Sequence, residues 1–267
     1  MMTAFLQLIG QIQRPLVEMS SQLPAIIHST ASIDRLMELE SLPREEVAEP
    51  QLLEGVVGVR MSDVSFAYPD ACENVLTDFS YDFKPGTRTA IVGPTGVGKS
   101  TLIKLLLSLL KPAEGSIEVY NAEDSAAVSP ATRSNLVYVP QGNTLFSGTV
   151  KDNLLMGNPE ASDSQLEEVL HTSAADFVFS LPNGIDTQCF EAGAGLSEGQ
   201  AQRIAIARAL LRPGSILLLD EFSSALDAAT ETQLMERLTS RLPHHTMIFI
   251  THRERIIDYC DSILRLD

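Results

Sequence analysis

The sequence predicts an α/β fold with a mainly parallel central sheet flanked by helices, on three observations. The apolar strand Ala90-Ile91-Val92 enters a glycine-rich turn, Gly93-Pro94-Thr95-Gly96-Val97-Gly98, and continues as an apolar helix from Lys99. Ile216 to Leu219 is wholly apolar, the pattern of a strand covered on both faces, and it ends in Asp220-Glu221. Helix and strand patterns then alternate, with a helix over Ala228 to Leu242 and strands over Thr246 to Ile250 and Ser262 to Leu266. An antiparallel β layer before the turn, an inserted α-helical subdomain after it and an N-terminal amphipathic helix complete the expected architecture.

Taken in order, the chain opens with apolar residues at Phe5, Ile9, Ile12, Leu16, Met19, Leu23, Ile26, Ile33 and Met37, alternately four and three apart with Thr30 counted in the seam. This is helical heptad spacing, and Pro15 and Pro24 predict kinks in it. Such a seam suits either an amphipathic helix packed on its own domain or a helix drawn from a larger bundle. Glu38 to Glu54, with Pro43 and Pro50, has the composition of an exposed linker, so a domain boundary is placed after residue 54. Short strands follow over Val56 to Met61, Val64 to Tyr68, Ser80 to Phe83 and Arg88 to Val92. The helix from Lys99 is expected to reach Leu110, before Lys111-Pro112, and strands are expected over Ser116 to Tyr120 and Leu136 to Val139. Asn121 to Asn135 has no clear period. Thr149 to Leu181 reads as helical with several starts, Ser162 being one N-cap, and Ser197 to Leu211 as a further helix. The inserted helical subdomain spans about residues 142–212.

Composition narrows the function. The 267 residues, 44% of them hydrophobic, suffice for one large domain or a domain with an appendage. A net charge of -16 argues against a nucleic-acid surface, which needs clustered Lys and Arg. Cys72, Cys189 and Cys260 are scattered and form no C-x-x-C pair, so they read as reduced thiols rather than a disulfide or zinc framework. No signal peptide opens the sequence and no uncharged apolar run approaches the roughly 20 residues of a membrane-spanning helix, so the chain as given is expected to be soluble.

The chemistry concentrates at the glycine-rich turn. Gly93, four residues, then Gly98-Lys99-Ser100-Thr101 is the spacing of a phosphate-binding loop. Glycines let peptide N–H groups curl around an oxyanion, and the following helix turns its positive end to the same point. Lys99 can reach β- and γ-phosphates, and the Ser100 hydroxyl can ligate Mg²⁺. Carboxylates at the end of a buried strand are costly to desolvate without a compensating cation, which assigns Asp220 to the metal and Glu221 to polarising the attacking water. Ligands in open α/β sheets bind beyond the carboxyl ends of strands, so Gly93, Gln141, Asp220 and His252 are expected to converge on one edge.

From Val56 onward these residues resemble the nucleotide-binding domain of ABC transporters, in particular its exporter branch. Leu196-Ser197-Glu198-Gly199-Gln200 is similar to the family's signature motif, Gln141 to its Q-loop and Ser224-Ala225-Leu226-Asp227 to its D-loop. His252 is similar to the switch histidine, and Tyr68 to the aromatic residue that stacks on adenine. Leu145 to Val150 and Glu191-Ala192-Gly193 resemble segments facing the coupling helices of the membrane domain, and Phe5 to Glu40 the cytoplasmic end of the last membrane helix. The pattern is broken by Phe190 in place of glycine, Phe222-Ser223 in place of Ala-Thr, and Glu198 in place of a signature glycine.

The resemblance implies an ATPase using ATP and Mg²⁺, with Glu221, His252 and Gln141 catalytic. Nucleotide contacts would come from Tyr68, Gly93 through Thr101, Ser197, Gly199, Gln200 and Asp227, and metal contacts from Ser100, Gln141 and Asp220. It also implies a head-to-tail pair with a second nucleotide-binding domain, identical or not, and a membrane domain that places this chain at the cytoplasmic face of the cell membrane. Ser197 and Gly199 open a helix whose N-terminus is an anion site, which fits a partner's phosphates. Two other readings remain from the sequence: a soluble ATPase of the same type acting on nucleic acid or ribosomes, and a nucleotide-gated scaffold dimerised through the first forty residues.

Overall fold

The computed structural model of the chain describes residues 32–42, 49–69, 73–189 and 195–267, with Met2, Gln13, Pro15, Gln22, Ser29, Thr30, Arg44 and Glu45 besides. Among the described residues there are eleven strands: β1 (Gly58–Phe66), β2 (Leu76–Phe83), β3 (Arg88–Val92), β4 (Glu114–Tyr120), β5 (Ser125–Ala127), β6 (Leu136–Val139), β7 (Gly148–Thr149), β8 (Gln188–Cys189), β9 (Ile216–Asp220), β10 (Thr246–Ile250) and β11 (Ser262–Arg265). β11-β3-β10-β9-β6 form one sheet in that order, and every pair in it is parallel. β2-β1-β4-β5 form a separate antiparallel layer, and β7 pairs with β8.

The apolar runs acquire a reason in this arrangement. Along β9, Ile216 and Leu218 enter a core shared with the antiparallel layer and with helix α1 (Lys99–Leu106), while Leu217 and Leu219 face the opposite way. β10 repeats the alternation, with Ile248 and Ile250 on the first side and Met247 and Phe249 on the second. The second core is closed by Leu234, Met235 and Leu238, which lie on a later helix, Ala228–Arg241. A strand buried on both faces has no position at which a polar residue is solvated, so its sequence shows no period of two.

A third core belongs to the helical region, built from α2 (Val150–Leu155), α3 (Asp163–Thr172) and α4 (Glu198–Leu210). Each begins with a capping box: Thr149 with Asp152, Ser162 with Gln165, and Ser197 with Gln200. Helix α5 (Ala228–Arg241) and the short α6 (Glu254–Ile257) follow.

Several boundaries differ from expectation. The two strands expected over Val56 to Tyr68 are one, β1, whose register shifts between Met61 and Val64 where Asp63 takes φ 51°. Gly115 of β4 crosses this bulge, and a Cβ there would lie 2.3 Å from the Asp63 carbonyl oxygen. Helix α1 stops at Leu106 rather than Leu110, because Ser108 turns to φ 54°. The aperiodic stretch Asn121 to Asn135 contains β5 and a 3-10 turn, Thr132–Asn135. Helix 32–41 runs past Glu38, where the linker was expected to begin. The seam residues Phe5 to Ile26, Pro24, Cys72, Phe190 and Glu191 to Gly193 lie outside the described residues.

Two compact units are present, Met1–Glu46 and Val47–Asp267. The stretch expected to be exposed linker up to Glu54 is anchored within the second unit by the fully buried Asn135. Its side-chain oxygen accepts from Leu53 N–H at 2.8 Å, and its amide nitrogen donates to the carbonyls of Gln51 at 2.7 Å and Thr132 at 2.8 Å. Asn135→Ala strands a buried N–H and carbonyl at once, so unfolding free energy should fall by about 2–3 kcal/mol in a denaturant titration.

A second tie joins α3 to α5. Arg237 donates to the His171 carbonyl at 2.7 Å and to the Asp176 carboxylate, whose other oxygen lies 2.6 Å from His171 Nδ1. Burial pushes the Asp176 carboxyl up, but the hydrogen bonds from His171 and Arg237 outweigh it and hold the group below its ordinary 3.8. A depressed carboxyl contributes stability that is present above its unfolded value and lost as pH falls through its folded one. The stability difference between wild type and Asp176→Asn should therefore be full at neutral pH and shrink below about pH 4, measured by thermal melts across that range.

Candidate active site

The phosphate-binding loop follows β3, and its shape depends on two close approaches. Gly93 sits where a Cβ would lie 2.4 Å from the Leu266 carbonyl oxygen, and a Cβ on Gly98, at φ 108°, would lie 2.9 Å from Cγ1 of Val75, just before β2. Neither position accepts a side chain. Lys99 Nζ donates to the carbonyls of Gly93 at 2.7 Å and Pro94 at 2.8 Å, so the ammonium is held across the loop at the start of α1.

Beside the loop is a cleft of about 310 Å³ lined by Tyr68, Thr95, Gly96, Gly98 to Thr101, Gln141, Asp220 and Glu221, together with Val75 and Ile250. Ten of the expected site residues are thus gathered in one concavity by β3, β6 and β9 and by the loop after β1. Gly93, Pro94 and Val97 belong to the loop without lining the cleft. Tyr68 is placed by its hydroxyl, 3.2 Å from the buried Thr101 Oγ1, and by an edge contact with Phe66.

Asp220 and Glu221 differ in environment. Burial raises the Asp220 carboxyl, with Glu221 adding to the rise; a hydrogen bond donated by the Tyr138 hydroxyl at 3.3 Å and the charge of Lys99 offset only part of it. Burial, with Asp220 beside it, pushes the Tyr138 hydroxyl up to about 12, so it remains a donor. Glu221 accepts a hydrogen bond from Gln141 Nε2 at 2.9 Å, and its other oxygen lies 3.8 Å from Nδ1 of the exposed His252. Gln141, Glu221 and His252 therefore meet although they come from three different strand ends. Glu221 has φ 42°, a left-handed conformation that costs a residue with a Cβ on the order of 1 kcal/mol.

Ser197, Gly199, Gln200 and Asp227 are not in this cleft. Ser197 and Gln200 cap α4 for one another, the Ser197 N–H donating to Gln200 Oε1 at 2.9 Å. Gly199 is buried against the peptide of Ala225, whose oxygen would lie 2.7 Å from a Cβ. The Asp227 carboxylate accepts from Thr230 and Ala229 N–H and from the Thr230 hydroxyl, which together hold it below its ordinary value. Phe222 is fully buried, 5.6 Å ring to ring from Phe249, so this departure from the family pattern fills the second core.

The donor set suits a hard cation. Ser100 and Asp220 present oxygen to the same cleft, and among the described residues no cluster of three or more His, Cys, Asp or Glu could hold a metal alone. That is the ligand economy of Mg²⁺, which takes one or two protein oxygens and completes its shell with water and phosphate. Sequence reasoning missed Tyr138 and Gln202, whose amide donates to the Glu221 carbonyl at 3.3 Å. Tyr138 precedes Gln141 by one strand end and could have been found from its place beside β9.

The profile of the ABC transporter family matches residues 76–224. The chain is 34% identical to the mycobactin import ATP-binding/permease protein IrtB of Mycolicibacterium smegmatis, covering 99% of this chain and 46% of that protein. It is 35% identical to the ABC multidrug transporter mdr2 of Aspergillus fumigatus, over 99% of this chain and 34% of the relative. A solved structure of a bacterial Atm1-family ABC exporter with ATP bound matches at a TM-score of 0.79 and 35% identity, covering 90% of this chain and 42% of that one. The chain thus spans less than half the length of these relatives.

Lys99→Ala removes the ammonium held across the loop while leaving all three cores untouched. At a hundredfold excess of ATP over its dissociation constant, the wild-type chain should gain about 2.7 kcal/mol. Lys99→Ala should show a much smaller thermal shift at the same ATP concentration; equal shifts would mean that Lys99 takes no part in binding.

Proposed function

This chain belongs to the ABC transporter family and to its exporter branch, and on that premise we propose that it is the ATP-hydrolysing motor of a membrane transporter. The observation that carries the reading is the meeting of Lys99, Gln141, Asp220 and Glu221 in the cleft beside the glycine-rich loop. Peptide N–H groups from Gly93 to Thr101 and the N-terminus of α1 hold the phosphates, with Lys99 leaving its loop carbonyls for the β- and γ-phosphate oxygens. Ser100, Asp220 and Gln141 would hold Mg²⁺, which when bound would neutralise charge on the phosphates. Glu221 orients and polarises the attacking water, with Gln141 hydrogen-bonded to one of its carboxylate oxygens and His252 3.8 Å from the other. Tyr68 supplies the ring on which adenine stacks.

The partner is a second ATP-binding domain placed head to tail. Support comes from α4, whose N-terminus carries the exposed Ser197 on a surface separate from this chain's own phosphate loop. Gly199, Gln200 and Asp227 act there through peptide groups and the shape of their turns, because their side chains or Cβ positions are committed to capping and packing. The end of a membrane domain and its linker fall within residues 1–46, and the ATP-binding domain, with its helical subdomain at about 142–212, takes in residues 47–267, because Gln51 and Leu53 are held by Asn135. No helix among the described residues is long and apolar enough to cross a membrane. The working location is the cytoplasmic face of the cell membrane, beside a membrane domain. Relatives named for mycobactin import and for multidrug transport share this half, so cargo is selected outside it.

Glu221→Gln keeps the hydrogen bond to Gln141 in altered form and removes the base. ATP affinity should persist while turnover falls about 10²–10⁴-fold, and an ATP-bound dimer should accumulate in light scattering. Wild-type turnover in this variant would remove Glu221 from the proposed role.

A further inference from the structure

Gln202 sits on α4, two residues beyond the capping box, and only 1% of it is exposed. Its Nε2 donates to the main-chain carbonyl of Glu221 at 3.3 Å, while its Oε1 is buried and has no hydrogen-bond partner among the described residues. The orientation is fixed by chemistry, because a carbonyl can only accept. A buried amide with its acceptor unmet is a poor stabilising device: an apolar side chain of the same length would fill the space without an orphaned oxygen. The single bond it makes goes to the one residue of the cleft whose backbone is strained, Glu221 at φ 42°.

Two main-chain hydrogen bonds also hold Glu221. Glu221 N–H donates to the Ile250 carbonyl at 3.0 Å, tying the residue to β10, and its carbonyl also accepts from Ser224 N–H at 3.1 Å. The contact from Gln202 is the side-chain restraint on the same oxygen, and it arrives from α4 rather than from the sheet. We infer that Gln202 is a positioning residue for the reaction, holding the strained Glu221 peptide so that its carboxylate points into the cleft. The inference rests on the role proposed for Glu221. It also means that α4 carries two duties at different turns, Ser197 at its open end and Gln202 against Glu221.

The test is Gln202→Met in the full 267-residue chain, with Gln202→Leu beside it. Met matches the amide in length and has no donor. The turnover number should fall about tenfold, the size of one lost hydrogen bond in the transition state, while KM and the dissociation constant for ATP stay within about twofold. The melting temperature should be unchanged or higher, since the orphaned oxygen is gone. Undiminished turnover, a parallel loss of turnover and melting temperature, or failure of both variants to fold would each overturn the assignment, the last two by showing that the amide serves the fold. Glu221→Gln run in parallel separates the two readings. If that variant is inactive and Gln202→Met is not, only the inference about Gln202 fails; if Glu221→Gln is active, the role of Glu221 fails first.

Discussion

The parallel register of β11, β3, β10, β9 and β6 is the constraint on which the rest depends. Parallel strands deliver their carboxyl ends to the same edge, so the residues after Val92, Val139, Asp220 and Ile250 are neighbours regardless of their distance in sequence. The same register requires cover on both faces, which the antiparallel layer with α1 gives on one side and α5 on the other. Polar chemistry is thereby expelled from the sheet and collected at its rim. Asp220 is the last residue of β9, and its carboxyl is raised because it is still half inside the sheet.

This arrangement sets stability against chemistry within three residues. Leu219 and Phe222 are buried in the second core, and between them Asp220 and Glu221 turn to the cleft. The left-handed turn at Glu221 is what lets the chain expose two carboxylates and then bury an aromatic ring. A chain optimised for stability alone would place glycine at that conformation and an apolar residue before it. The sequence keeps two acids there, and the packing of Phe222 on Phe249 contributes burial that offsets the strain.

Most of the sheet was legible because periodicity and the two buried strands are local signals. β3, β6 and β10 occupy the expected spans, and the helix expected over Ser197 to Leu211 runs from Glu198 to Leu210. The phosphate loop was legible for the same reason, since its spacing is contiguous. What the sequence hid depends on distant partners. Asn135 looks like the end of an aperiodic stretch until the Gln51 carbonyl, 84 residues away, is seen to accept its amide. Gln202 looks like an ordinary polar helical residue until Glu221 is found above it. Gly199 reads as part of an anion site, yet its lack of a side chain is demanded first by the Ala225 peptide. β7 and β8 are each two residues long, too short for any period to appear.

The position of β3 has a consequence in time. Its two neighbours, β10 and β11, both come from the last part of the chain, and the Leu266 N–H donates to the Val92 carbonyl at 2.9 Å at the lip of the loop. Ribosomes build from the amino end, so the glycine-rich loop emerges before either flanking strand. At roughly 5–20 residues per second it waits on the order of ten seconds for them. Throughout that interval the nascent chain has no finished cradle, and nucleotide in the cell gives it no stabilisation. Nucleotide binding therefore marks a chain made at least through β11: a product cut short before that strand leaves β3 as an open edge, with exposed apolar surface that chaperones and proteases recognise.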